Sequence, residues 1–281
     1  MRSLVLAFCL LLVAQLHAEE RLFFQPLNAD SRLQEQAWRD IWRASADAGV
    51  KTLLVQWTAY GEADFGGADG WLANSLRAAQ EQGLQLVLGL YMDPAYYQRQ
   101  RELDGPGLQA YWQYQLGLSL AHQRLLREQW QLPVAGWYLP LELDDVQFLA
   151  GERRQVLRRQ LQDFAAQLDA PLHLSAFSAA RLSPQAYAAW LGDLQALGIS
   201  VWWQDGEGTA SLVTPVRRAY GQALPCSIGI VREAFRQTSA DGQPFRAEPA
   251  EPQRHYSGCH ADAVFSLRYR PWGAPLRDSA H

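Results

Sequence analysis

Short apolar runs recur along the chain at Leu22–Gln25, Thr52–Trp57, Gln85–Tyr91, Val134–Glu142, Leu172–Phe177, Ile199–Gln204, Cys226–Arg232 and Asp262–Tyr269. Their length and their content of β-branched and aromatic residues predict eight strands. Amphipathic stretches separate them. Leu157, Leu161, Phe164 and Leu168 follow an i, i+4, i+7, i+11 stripe, and Leu33, Ala37, Trp38, Ile41 and Trp42 form a similar one, so each predicts a helix laying one face on a sheet. Ser183-Pro184 supplies a cap and a first-turn proline for a helix carrying Tyr187, Trp190, Leu191, Leu194 and Leu197. Ala48-Gly49-Val50, Glu81-Gln82-Gly83 and Ala196-Leu197-Gly198 each place glycine at a helix end just before a strand.

Eight successive βα units over residues 19–281 predict an α/β fold, a single (β/α)8 TIM barrel. A doubly wound open sheet is the rival. Such a sheet usually carries a Gly-x-Gly-x-x-Gly turn after its first strand, where this chain has Gln25-Pro26-Leu27-Asn28-Ala29-Asp30. The rhythm breaks between Glu233 and Asp262. Pro244, Pro249, Pro252 and Asp241-Gly242 leave little room for a full helix there, so strands 7 and 8 are expected to be joined by a long, irregular, ordered loop.

The N-terminus adds a compartment. Arg2, the apolar run Leu4–Leu16 and the small residue Ala18 read as a secretory signal peptide over residues 1–18, too short to span a bilayer. The mature chain is therefore expected to be periplasmic or secreted, with no integral membrane segment. Export permits a disulfide, and Cys226 and Cys259 lie at the same end of neighbouring predicted strands, so they are expected to pair.

With 25 Lys+Arg against 29 Asp+Glu, a net charge of −4, there is no basic excess to neutralise a phosphate backbone, and no nucleic-acid partner is expected. Lys51 is the only lysine and stands before the second strand, at the wrong end of a barrel for Schiff-base chemistry. There is no Gly-x-Ser-x-Gly elbow, and the histidines show neither His-x-His nor His-Glu-x-x-His spacing. No metal and no cofactor are expected. Asp205-Gly206-Glu207-Gly208-Thr209 resembles a phosphate loop only faintly, lacking a third glycine and a lysine, and reads as a plain βα turn.

Barrel chemistry sits where strands end. The predicted strands close on Gln25; on Gln56 and Trp57 with Tyr60; on Tyr91 and Asp93; on Glu142 with Asp144 and Asp145; on Trp202, Trp203, Gln204 and Asp205; on Glu233; and on Arg268, Tyr269 and Trp272. Aromatic faces stack on sugar C–H surfaces, while amides and carboxylates pair with hydroxyls, so this rim suits a carbohydrate. Gln25, Gln56, Trp57, Tyr60, Tyr91, Asp144, Trp203, Asp205, Arg268 and Trp272 are the candidate substrate-binding residues. Trp57, Trp203 and Trp272 are the expected stacking platforms, although alternation turns only one of Trp202 and Trp203 inward.

Phe23-Phe24-Gln25-Pro26-Leu27, Leu54-Val55-Gln56-Trp57 and above all Gly136-Trp137-Tyr138-Leu139-Pro140-Leu141-Glu142-Leu143-Asp144-Asp145 resemble the bacterial domain-of-unknown-function family 4434. The resemblance covers most of the chain and implies a TIM-barrel glycoside hydrolase. By similarity to the retaining glycosidases of clan A, it implies Glu142 after strand four as general acid/base and Glu233 after strand seven as nucleophile, with Leu141 standing where that clan has asparagine. The expected activity is cleavage of a cell-surface or exopolysaccharide glycan. The alternative is a catalytically silent carbohydrate-binding barrel in polysaccharide assembly or export. A metal-dependent deacetylase is a third reading, which the histidine spacing disfavours.

Overall fold

Eight parallel strands close on themselves in chain order. They are β1 (Glu20–Phe24), β2 (Val50–Val55), β3 (Gln85–Gly89), β4 (Gly136–Asp144), β5 (Leu172–Phe177), β6 (Ser200–Gln204), β7 (Gly229–Glu233) and β8 (Asp262–Phe265). The helices are α1 (Glu35–Asp47), α2 (Trp71–Glu81), α3 (Tyr96–Glu102), α4 (Gly105–Leu125), α5 (Gly151–Ala165), α6 (Pro184–Gln195), α7 (Thr214–Ala223) and α8 (Ala274–Asp278). This is the expected (β/α)8 barrel. The computed structural model describes residues 20–240, 242–253, 256 and 258–278. The leader expected over residues 1–18 lies outside the described residues. Among those described, no helix is long and apolar enough to cross a membrane.

Side-chain alternation divides the apolar residues into two cores. Phe23, Leu54, Val87, Tyr138, Trp202, Val231 and Ala263, one from each of seven strands, fill the barrel interior. The eighth, β5, contributes Ser175, whose hydroxyl pairs with the Tyr138 hydroxyl at 2.7 Å and so satisfies both buried groups. The residues between them along the strands, such as Phe24, Leu53, Leu86 and Trp203, face the helices. There Trp38 stacks on Trp42 and on Trp71, with ring centroids 5.6 Å apart in both pairs. The α1 stripe read from the sequence is therefore core. Local signals also hold: Ser183 accepts from the Ala186 N–H at the start of α6, and Gly49 turns the chain from α1 into β2 at a φ of 91°.

One strand departs from regular pairing. Leu139 and Leu143 of β4 pair with Leu174 and Ala176 of β5, so β4 takes four steps where its neighbour takes two. Pro140 lies inside that interval and has no N–H to give the ladder, and the resulting bulge re-aims Glu142 at the end of the strand.

The connection between β7 and β8 is irregular, as expected. It carries a two-stranded antiparallel ribbon, Phe235–Gln237 with Ala247–Pro249. A disulfide joins Cys226 to Cys259 at the far end of these strands, closing a separation of 33 residues. The eighth apolar run stops forming strand at Phe265 instead of continuing to Tyr269, because Leu267–Tyr269 coils into a 3-10 turn.

Candidate active site

Two residues beyond the interior core layer, alternation brings Gln25, Gln56, Gln204 and Glu233 to the barrel mouth, and the β4 bulge brings Glu142 there. Glu142 and Glu233 open into one cavity of about 240 Å³, walled also by Tyr97, Phe177, Gln204 and Asp205.

Glu142 is held from two sides. Its Oε2 accepts a hydrogen bond from the Tyr97 hydroxyl, and its Oε1 accepts from Gln204 Nε2 at 2.7 Å. The same Gln204 nitrogen donates to Ser175 Oγ at 3.1 Å, which ties the amide to the hydroxyl pair of the barrel interior. Tyr97 comes from α3, a helix anchored by Asp93. That carboxylate accepts from the Ala95 N–H at 2.8 Å, from Arg99 at 3.1 Å and from the Tyr111 hydroxyl at 2.9 Å. The neighbouring Tyr96 is fully buried and donates to the Glu142 carbonyl at 2.7 Å. The Tyr97 ring is 41% exposed, yet its hydroxyl is turned inward. Burial of that hydroxyl and the charge of Glu142 push its phenol well above the ordinary range, so it stays a donor. Burial raises the Glu142 carboxyl, Tyr97 and Gln204 oppose the rise, and Asp144 adds to it.

Glu233 sits in a different setting. Its Oε2 accepts two backbone N–H groups, from Gly208 at 2.6 Å and Thr209 at 3.2 Å. Burial first, and then the charge of Asp205, push its carboxyl up to about 7 against those two donors, with a smaller push from Glu142. The turn that resembled a phosphate loop thus cradles a carboxyl group belonging to the chain itself. Gly208 is required there: a Cβ would stand 2.3 Å from the Phe235 carbonyl oxygen and 2.9 Å from Glu233 Oε2.

The acidic run after strand four divides by role. Asp144 is buried and caps the following turn through the N–H groups of Val146 and Gln147 at 2.8 and 2.7 Å. Asp145 is also buried and accepts from Ala179, Arg181 and Leu182, fastening β4 to the loop before α6. Asp205, buried beside Glu233, accepts from the Glu207 N–H at 3.1 Å.

The other candidates spread out. Trp57 is buried, with its indole N–H on the Pro26 carbonyl at 2.9 Å, and only Tyr60, 5.0 Å from it between ring centroids, offers an exposed face. Tyr91 is half-buried in a short parallel ribbon that pairs Ala59–Tyr60 with Tyr91–Met92. Gln25 is half-buried, and Gln56 is buried with no hydrogen-bond partner for its Oε1 among the described residues. Trp202 takes the inward position, while Trp203 touches the cavity wall without exposed surface and packs on Tyr256 at 5.6 Å. Arg268, a substrate-binding candidate from the sequence, does not line the cavity shared by Glu142 and Glu233. It instead makes a two-oxygen pair with fully buried Asp30, at 2.8 and 2.9 Å, because the chain has already left the barrel at Phe265. Trp272 lies farther along the same excursion, 5.0 Å beneath the Arg270 guanidinium. Among the described residues no cluster of three or more His, Cys, Asp or Glu is disposed to hold a metal ion.

Residues 21–261 match the model of a domain of unknown function (DUF4434). The chain is 32% identical over 276 residues to the uncharacterized protein YbcH of Escherichia coli (strain K12), covering 90% of this chain and 91% of YbcH. Among solved structures, a Bacteroides thetaiotaomicron VPI-5482 protein assigned as an alpha-L-fucosidase aligns with a TM-score of 0.53 at 14% identity, over 93% of this chain and 91% of that one. The spore cortex-lytic enzyme SleL of Bacillus cereus aligns with a TM-score of 0.52 at 10% identity, over 93% and 74% of the two chains. At these identities the likeness is one of fold.

Proposed function

The chain belongs to the DUF4434 family, and from that premise we propose that it is an exported glycoside hydrolase which cleaves a cell-surface or exopolysaccharide glycan by a retaining mechanism using Glu142 and Glu233. One observation carries this reading: two glutamates from β4 and β7 share a cavity yet occupy unlike environments. Breaking a glycosidic bond requires a carboxylic acid to protonate the departing oxygen and a carboxylate to stabilise or attack the anomeric carbon. Carboxyl groups whose surroundings push their protonation apart can divide those tasks near neutral pH.

The carbohydrate class is supported by the exposed ring of Tyr60 and the half-buried Tyr91 near the mouth, and by the amides of Gln25 and Gln56. Two enzymes named for work on fucosides and on spore cortex share the fold and add to that support. Export is supported by the leader-like residues 1–18, which would leave residues 19–281 as the mature barrel, and by the Cys226–Cys259 disulfide.

The test is incubation of the purified protein with glycan extracts from its own host, reading new reducing ends and bound glycan together. Cleavage that is lost in Glu142→Gln and in Glu233→Gln, with glycan binding kept, is the expected result. Binding without new reducing ends would replace this reading with the silent carbohydrate-binding barrel. Full activity in either variant would remove that residue from the mechanism.

A further inference from the structure

The two glutamates differ in which protonation state their neighbours favour. Around Glu142 stand two donors, the Tyr97 hydroxyl on Oε2 and the Gln204 amide on Oε1. Gln204 Nε2 carries only N–H groups, so Oε1 must accept. Tyr97 is kept a phenol by burial and by Glu142 itself, so it too arrives with a proton to give. Donors on both oxygens favour an anion and offset part of the rise that burial imposes on this carboxyl. The remaining titratable neighbours of Glu142 are Tyr96, Tyr138, Asp144 and, in the same cavity, Glu233 itself. Both tyrosines stay neutral, and Asp144 is turned into its own loop.

Glu233 has as many donors, but both fall on one oxygen. Its Oε2 is seated on two backbone N–H groups, Oε1 takes no hydrogen bond from the described residues, and the nearby charges of Asp205 and Glu142 are both negative. An acidic proton therefore has a place to reside, on Oε1, and a reason to stay.

We propose that Glu142 is the nucleophile and Glu233 the acid/base, the reverse of the assignment implied by strand order, with Tyr97 and Gln204 as positioning residues that hold Glu142 ionised and aimed. This rests on the glycosidase reading above. In the first step the Glu233 proton passes to the glycosidic oxygen as the bond from the anomeric carbon to that oxygen breaks. A Glu142 oxygen bonds to the anomeric carbon, and the alcohol departs with the proton. In the second step ionised Glu233 takes a proton from water, whose oxygen attacks the same carbon, and Glu142 leaves as carboxylate.

The test needs no substrate to begin. Carbon-13 carboxyl NMR of glutamate-labelled protein, with the two resonances assigned through Glu142→Gln and Glu233→Gln, reads each midpoint in the free protein. Glu233 should titrate above Glu142. In Tyr97→Phe the Glu142 midpoint should move up by about one pH unit, the loss of one hydrogen bond to a charged group. On whichever host glycan is cleaved, the low-pH limb of kcat should move up with it, a response that loss of packing alone would not give. A Glu142 midpoint above that of Glu233, or one unmoved in Tyr97→Phe, overturns the assignment. Midpoints as expected in a protein that forms no reducing ends overturn the glycosidase reading instead.

Discussion

Replacing Glu233 by glutamine should make the protein more stable at alkaline pH while removing its activity. The folded-state carboxyl is pushed up to about 7 from an ordinary value of 4.5, chiefly by burial and Asp205. A raised folded-state value means that the native protein binds this proton more tightly than the unfolded chain. The stabilisation it brings is complete below about 4.5 and is lost as pH rises through about 7. A gap of about 2.5 pH units corresponds to about 3 kcal/mol, of which about 2–3 kcal/mol falls between pH 5 and pH 8. The side chain is 9% exposed, so solvent screening takes little from this figure. Glutamine keeps an amide oxygen for the Gly208 and Thr209 N–H groups and brings no charge to desolvate. Urea unfolding of both proteins, with the disulfide intact, measures the outcome. The variant should gain about 2–3 kcal/mol on the wild type between pH 5 and pH 8. A stability difference that is the same at both pH values, or that favours the wild type at pH 8, would refute the account of Glu233's surroundings.

Three further outcomes follow from packing. Breaking the Cys226–Cys259 link, by changing both residues to alanine, should cost about 3–4 kcal/mol in the chain-entropy model for a 33-residue separation, read from urea midpoints. Gly208→Ala should destabilise by about 1–3 kcal/mol, since its methyl meets a backbone carbonyl that cannot yield, and turnover should fall through displacement of Glu233; thermal melts and reducing-end assays read the two effects. Trp57→Ala should lose about 3–5 kcal/mol of stability because the ring is buried and hydrogen-bonded, whereas Tyr60→Ala should leave the melting curve nearly unchanged and weaken glycan binding, measured by calorimetry.

Period-two alternation holds where a strand continues and stops where the chain leaves the sheet. The inward set Phe23, Leu54, Val231 and their partners carries directly to Gln25, Gln56 and Glu233 at the mouth, because parity along a strand is fixed by the pleat. The tandem Trp202-Trp203 was legible only as a pair, since either could face inward until the phase of β6 is known. With Trp202 inside, the rim position falls to Gln204, an amide noted at the strand end and passed over for the tryptophan beside it. Apolar spacing extends the eighth strand to Tyr269, whereas the chain turns away after Phe265 and carries Arg268 with it. Tyr97 went unseen for another reason: it sits on a short helix after β3, and strand alternation says nothing about such a loop. The sequence does carry Asp93-Pro94, an aspartate that takes the Ala95 N–H and a proline just ahead of paired tyrosines, at the end of the barrel that carries the mouth.

The seat formed by Gly208 and Thr209 differs from a nucleotide cradle in that its carboxyl group is tethered. A diffusible phosphate empties such a seat by dissociating; a built-in carboxylate can relax its hold only by taking a proton. Neutral Glu233 makes ordinary hydrogen bonds to the two amides, whereas ionised Glu233 makes charge-assisted ones, about twice as strong. In the catalytic cycle proposed above, Glu233 is ionised only while the glycosyl group is attached to Glu142. On that proposal the hold of Gly208 and Thr209 on Glu233 is strongest while the glycosyl group is attached to Glu142 and eases when the proton returns.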